Sequence, residues 1–245
     1  MKATLYGIPA SHPAFAAELM LQRKGIEYKR VDLPQWFHRP ILRALRFPGR
    51  TVPALVLDGR RTQTTKAIAR ALDAVRPDRP LVPTDPQQRA AVEAAETWAD
   101  DALQQLARRL VWWSLRRDRR AVDSYLEGSR LFIPLPLVKP AAPVIIRILA
   151  RDNRATDAAV RADLAALPAM LDRVDDWIAR GLIGAAEPNV ADFQIATALE
   201  LLMTHEDVRP VIDARPAGQL AKRVAPGYPG RMPAVFPPDW ITATG

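Results

Sequence analysis

A proline stands directly before an apolar run that ends in a turn, in the stretch Arg50-Thr51-Val52-Pro53-Ala54-Leu55-Val56-Leu57-Asp58-Gly59. Proline lacks the N–H that a sheet ladder needs, so Pro53 belongs at the first residue or the edge of a strand. The Val52–Pro53 bond can also be cis, which costs about 0.5–1 kcal/mol before proline against about 2.5–4 kcal/mol elsewhere. In that form the Val52 N–H and C=O would turn outward and could pair with an extended peptide ligand as a strand edge does. In the trans form Pro53 merely opens the strand. Other chemistries are bounded by composition. The 245 residues include no cysteine, which excludes disulfides, thiolate metal sites and a cysteine nucleophile, and three scattered histidines argue against a zinc site. A net charge of +8 favours anionic partners, whether a small carboxylate-bearing ligand, nucleic acid or acidic lipid. The densest basic run, Arg116-Arg117-Asp118-Arg119-Arg120, follows Trp112 and Trp113. It reads as a solvated helix end, where arginines complement the dipole, rather than as a nucleic-acid groove.

These residues need elements to hold them. Residues 2–6 read as a strand, and no signal-peptide pattern precedes them, so a cytoplasmic location is expected. Gly7-Ile8-Pro9-Ala10-Ser11-His12-Pro13 is a loop, with Ser11 a candidate cap for a helix whose apolar stripe holds Phe15, Leu19 and Met20 and which Gly25 ends. A second strand at 28–33 completes a parallel βαβ unit. A proline-broken segment with Trp36, His38 and Pro40 then leads to the strand at 54–57, the Asp58-Gly59 hairpin, a return strand at 60–63 and a helix from about Thr65, capped by Thr64. Four prolines within 76–86 mark a linker between residues 1–76 and 87–245. Helical periodicity covers 90–115, 155–179 and 190–203, the last introduced by Asn189 as cap with Asp192 reaching back from N3. The segment 131–150, with four prolines, Lys139 and Arg147, reads as a connector over an apolar surface and not as a membrane span. Residues 205–245 read as an extended tail or lid.

Four motifs in this order give the chain a resemblance to the cytosolic glutathione transferases. They are Pro9-Ala10-Ser11-His12-Pro13 after the first strand, Thr51-Val52-Pro53 before the third, Thr65-Lys66-Ala67-Ile68 after the fourth, and Pro188-Asn189-Val190-Ala191-Asp192-Phe193 in the helical region. The resemblance covers most of 1–110 and 156–204. It implies a thioredoxin-like domain of order β-α-β-α-β-β-α followed by an all-helical domain, a cis Val52–Pro53 bond, and a homodimer acting in detoxification. No metal is implied. The co-substrate would be glutathione, whose thiol adds to a hydrophobic electrophile.

The resemblance also assigns roles. Ser11 matches the catalytic serine of the theta- and delta-like classes, with Tyr6 the competing hydroxyl donor to the thiolate. A thiol of pKa about 8.5 is mostly protonated at neutral pH, so a donor that prefers the anion is what catalysis requires. Glutathione would be held by Val52 beside Pro53 through its backbone, by Arg50 and His38 at the glycine carboxylate, and by Thr64 and Thr65 at the γ-glutamyl end. Phe15, Trp112, Trp113 and Tyr228 are the candidates for the electrophile site between the domains. Asp192 is expected to cap a helix and not to act as a catalytic carboxylate. One departure stands out: the family usually has Glu or Asp, then Ser, where this chain has Thr64-Thr65. Thr64 lacks the carboxylate that would face the ligand's ammonium group, a charge-assisted bond worth about 1.5–3 kcal/mol. Gln63 or a partner subunit could supply it; otherwise a different small anionic ligand, bound without catalysis, is the alternative.

Overall fold

The computed structural model describes residues 1–131 and 133–241. Its first seven elements are β1 (Ala3–Gly7), α1 (His12–Arg23), β2 (Tyr28–Asp32), α2 (His38–Ala44), β3 (Ala54–Leu57), β4 (Arg60–Gln63) and α3 (Thr65–Val75), the expected thioredoxin-like order. The sheet runs β2-β1-β3-β4, with β1 parallel to β2 and antiparallel to β3. Alternation along β1 sends its residues to two faces. Leu5 is fully buried in one core with Met20 and Leu21 of α1 and Ile68 and Leu72 of α3. Tyr6 points the other way, into a smaller core with Leu33, Leu42, Phe47 and Ala54 beneath α2. Each such aliphatic side chain contributes about 1.5–3 kcal/mol on burial, so both faces of the sheet are firmly covered. The β3–β4 turn is the two-residue hairpin read from the sequence. Asp58 (φ 46°) and Gly59 (φ 84°) both take the left-handed conformation that such a turn demands.

The rest is helical: α4 (Pro86–Trp98), a π-helical turn over Ala99–Leu103, α5 (Gln104–Arg117), α6 (Val122–Leu126), α7 (Leu135–Val138), α8 (Ala142–Asp152), α9 (Asp157–Ala179), α10 (Val190–Met203), α11 (Arg209–Asp213) and α12 (Pro216–Val224). The stretch expected as one helix over 90–115 is thus α4 and α5 joined through the π turn. α10 is the centre of the bundle, with every residue but Glu200 buried. Its start is the capping box foreseen: Asp192 Oδ2 accepts from the Asn189 N–H at 2.8 Å, while Asn189 Oδ1 accepts from the Asp192 N–H at 3.3 Å. Asp192 is wholly buried, and burial pushes its pKa up to about 6. The proline-rich segment after α3 is pinned to both parts of the chain. Lys24 Nζ donates to the Arg76 carbonyl at 2.6 Å, Asp73 accepts from the Leu81 and Val82 amides, and the Leu81 carbonyl accepts from the Val190 N–H at 2.8 Å.

Within the 131–150 connector α7 and α8 occupy much of the length, because Pro136 and Pro143 fall in first turns, where a missing N–H costs nothing. One expectation changes. The C-terminal region beyond 205 is not an extended tail throughout, since α11 and α12 fill 209–224; α12 buries Leu220, Ala221 and Val224. The irregular stretch after α12 packs closely, with Gly230 (φ 113°) so near the Tyr125 ring that a Cβ there would lie 2.3 Å from it. Residues 242–245 of that expected tail lie outside the described residues. The basic run after Trp113 does end a helix: α5 stops at Arg117, which stacks over the Trp113 ring and pairs with Asp157 at 2.8 Å. Among the described residues, no helix is long and apolar enough to cross a membrane.

Candidate functional site

Three loops meet at one end of the sheet, because the register pairs Tyr6 with Ala54 and Ala54 with Gln63. The first follows β1 and delivers Ser11 as the N-cap of α1. Ser11 Oγ accepts from the Ala14 N–H at 3.3 Å, which leaves its own O–H to donate elsewhere. The second carries Thr51 and Val52 ahead of a Val52–Pro53 bond that is cis. The third is the β4–α3 junction, where the Thr64 N–H donates to the Pro53 carbonyl at 3.2 Å and Thr64 Oγ1 caps α3 by accepting from the Ala67 N–H. Ala10 (φ 51°) and Thr64 (φ 69°), the residues before Ser11 and Thr65, both hold positive φ. That conformation is costly for a residue with a Cβ, most of all a β-branched one, and such strain clusters at functional sites.

Gln63 fixes the second loop. Its Oε1 accepts from the Gly49 N–H at 2.5 Å and its Nε2 donates to the Thr51 carbonyl at 2.9 Å, so both ends of the amide are engaged within the chain. Gln63 therefore clamps the 49–51 stretch that leads to Val52, with one lone pair of Oε1 and one N–H of Nε2 committed to it. Within the described residues the Val52 N–H and C=O make no hydrogen bond.

Between this end of the sheet and the helices lies a cleft of about 310 Å³. Its sheet-side wall includes Pro9, Ser11, His12, His38, Thr51 and Val52. Its helical wall comes from α5 (Arg108, Val111, Trp112, Leu115) and α8 (Ile145, Ile146, Leu149). Ahead of α7 the chain is tied to β2: Asp32 Oδ2 accepts from the Arg130 N–H at 2.8 Å, and Asp32 bridges in parallel to Leu131. His38 sits at the start of α2, with Nδ1 2.5 Å from the Gln35 carbonyl, and burial lowers its pKa.

The remaining residues named from sequence lie elsewhere. Tyr6 packs edge-on against Phe47, its ring 5.8 Å away, and does not line the cleft. Arg50 is exposed and outside the lining. Thr64, hydrogen-bonded to Pro53, and buried Thr65 lie outside the cleft lining. Trp112 lines the cleft, whereas Trp113 is turned into the core, stacked on Phe236 at 5.1 Å with Nε1 donating to Asp157. Phe15 packs on Tyr228, and the Tyr228 hydroxyl donates to the Ala10 carbonyl at 2.5 Å. Tyr228 thus supports the loop that carries Ser11 and does not itself line the cleft.

His12, Arg39, Arg108 and the α8 residues line the cleft without having been singled out. Ile145, Ile146 and Leu149 carry helical spacing that the neighbouring prolines mask. Nothing in the sequence separates Arg108 from Arg109, which pairs with Asp163 at 2.7 Å.

A thioredoxin-like domain with a cis proline beside the cleft, followed by a helical bundle that closes it, defines the class. Residues 5–80 match the glutathione S-transferase, N-terminal domain family. That match covers the thioredoxin-like part, and the fold of the chain as a whole is that of the cytosolic glutathione transferases. Among solved structures, a GST-like protein from Pseudomonas syringae superposes with a TM-score of 0.63 at 22% identity, over 96% of this chain and 70% of that one. A glutathione S-transferase from Rhodospirillum rubrum gives 0.64 at 21% identity, over 91% and 87%. A glutathione transferase homologue from Sulfitobacter, solved with bound glutathione, gives 0.55 at 19% identity over 91% of each chain. A comparison with proteins of curated function gives no match.

Proposed function

We propose that this chain is a serine-type, theta- or delta-like enzyme that adds the thiol of glutathione to a hydrophobic electrophile. The observation that carries this reading is the Ser11 hydroxyl, capping α1 at the mouth of the cleft, beside a Val52 backbone; among the described residues neither the Ser11 proton nor the Val52 N–H and C=O has a partner. A cysteinyl residue paired to Val52 as an added strand presents its sulfur to Ser11. The hydroxyl then donates to the thiolate, and the α1 N-terminus adds favourable partial charge. Arg39, beside His38 at the start of α2, receives the glycyl carboxylate, and Thr64 and Thr65 at the α3 N-terminus receive the γ-glutamyl carboxylate. The electrophile lies against Trp112, Leu115 and Ile146. Glutathione bound to the Sulfitobacter homologue supports the choice of thiol. A homodimer in the cytoplasm, acting in detoxification, completes the reading.

Thr64 favours a second reading, a transferase-like protein that binds a small anionic ligand without turning it over. Calorimetry with glutathione, followed by a conjugation assay on wild type and Ser11→Ala, decides between them. Millimolar or tighter binding with turnover lost in S11A supports the enzyme. No binding at millimolar glutathione overturns it, and binding without turnover favours the second reading.

A further inference from the structure

The cleft is more cationic than its apolar role requires. Its lining includes Arg39, Arg108 and Lys139 and no aspartate or glutamate. Lys139 is neutralised by Asp123 at 2.9 Å, and Arg39 lies at the α2 end with His38. Arg108 is different. It projects from α5 into a lining with Val111, Trp112 and Leu115, and burial depresses its pKa, with Asp100 offsetting only part of the effect. Among the described residues it forms no ion pair, and its one side-chain hydrogen bond goes to Gln104 Oε1. A guanidinium has five N–H donors, so most of this fork has no acceptor in the chain. Across from it, His12 is 3% exposed, and its Nε2 has no partner. Burial, and then the Arg108 charge itself, lower the His12 pKa well below the ordinary histidine value and keep the ring neutral. A half-buried cation and a buried orphan imidazole nitrogen therefore face one apolar cleft next to Ser11. Unpaired buried polar groups are costly, and such a pair is met by an anionic group of a ligand.

We propose that Arg108 and His12 form a carboxylate subsite in the electrophile half of the cleft, so that the second substrate is an apolar or aromatic acid. The inference rests on the cleft being a substrate site as proposed above. It places the carboxylate between Arg108 on the helical wall and His12 at the start of α1, away from the glycyl carboxylate at Arg39. A planar guanidinium takes a carboxylate through two parallel bonds, and the surrounding Val111, Trp112 and Ile146 take the hydrocarbon part.

The test begins without thiol. Calorimetry compares p-nitrobenzoate with p-nitrobenzamide, which has the same shape and no charge. Wild type is expected to bind the benzoate about ten- to a hundredfold more tightly, the range of a charge-assisted pair in a dry site. Arg108→Gln removes that preference and Arg108→Lys retains part of it. Equal binding of the two probes by wild type overturns the subsite whatever the variants do, as does a preference that survives in R108Q. Should R108Q melt early, R108M, which keeps the aliphatic stem, repeats the measurement. Conjugation of chloronitrobenzoate and its carboxamide with glutathione then separates this inference from the reading beneath it. A loss confined to the benzoate in R108Q supports the subsite, whereas an equal loss on both overturns it, because the guanidinium would then serve the thiolate. Benzoate preference without any conjugation overturns the transferase and leaves the subsite standing.

Discussion

The two walls of the cleft are built by different means. The sheet-side wall is backbone and caps: the Ser11 and Thr64 hydroxyls each close a helix N-terminus, Gln63 clamps the 49–51 loop, and the Val52 backbone makes no hydrogen bond among the described residues. The helical wall is side chains on α5 and α8, apolar but for Arg108 and a few polar neighbours. A wall made of backbone positions its ligand through hydrogen-bond geometry, so it selects a peptide by shape and direction. A wall made of side chains sets substrate preference by volume and charge, and it can change without moving the loops opposite. The contrast predicts that substitutions on one wall alter thiol activation or thiol affinity, and those on the other alter electrophile preference.

The largest effect is expected at Ser11. Replacing it by alanine removes the donor to the thiolate, and loss of one such donor typically lowers turnover about a hundred- to a thousandfold. Glutathione affinity should change little, since Val52 and the α3 terminus remain. Stopped-flow titration of the bound thiolate against pH checks the cause: the thiol pKa rises in S11A. An S11A enzyme with full turnover would break the comparison, because the sheet-side wall would then bind without activating.

Thr64→Asp should come next. The substitution keeps an N-cap acceptor for the Ala67 amide and replaces a β-branched residue at φ 69° with one that tolerates positive φ better. It also adds the carboxylate that the ligand's ammonium lacks. Glutathione should bind about ten- to a hundredfold more tightly by calorimetry, with electrophile selectivity unchanged. Trp112→Ala tests the opposite wall: kcat/KM for an aromatic electrophile should fall roughly tenfold, since lost apolar contact in a pocket is worth about 1–3 kcal/mol. Glutathione affinity should stay put. A glutathione Kd that moves in W112A would mean that the walls are not separable.

How much of this was legible in the sequence follows the same division. The sheet-side wall depends on residues with intrinsic backbone meaning: Pro53, the Asp58-Gly59 turn, the Ser11 and Thr64 caps. Their types alone limit what the chain can do there, which is why the order of elements could be foreseen; the cis form of the Val52–Pro53 bond, left open by the residues, followed only from the family resemblance. The Asn189 and Asp192 capping box was readable for the same reason. The helical wall depends on which side of a helix faces the cleft, and that is decided by packing. Trp112 and Trp113 are neighbours in sequence, yet one lines the cleft and the other stacks in the core on Phe236. Arg108 and Arg109 differ in the same way, one unpaired in the cleft and one bound to Asp163. Local pattern carries no record of that choice. In α8 the prolines obscured a helix whose apolar spacing was present throughout.

The smallest effect is expected where the two walls touch the same residue. Tyr228, in the chain beyond α12, donates its hydroxyl to the carbonyl of Ala10, which holds φ 51° one residue before Ser11. Burial raises the pKa of this phenol well above its ordinary value, so it remains a donor throughout the working range of pH. Tyr228→Phe keeps the ring packed on Phe15 and removes only that bond, leaving the Ala10 carbonyl to find another donor. The expected cost is about 0.5–1.5 kcal/mol of stability by thermal or urea unfolding. If the bond also helps to hold Ala10 in its strained conformation, and Ser11 with it, turnover should fall by a factor of a few while electrophile preference stays constant. A turnover loss with no change in the unfolding midpoint would show that Tyr228 aims Ser11 and does little for the fold. A stability loss with normal turnover would show that the α1 cap alone suffices to place the hydroxyl, and the sheet-side wall would then stand independently of the helical domain.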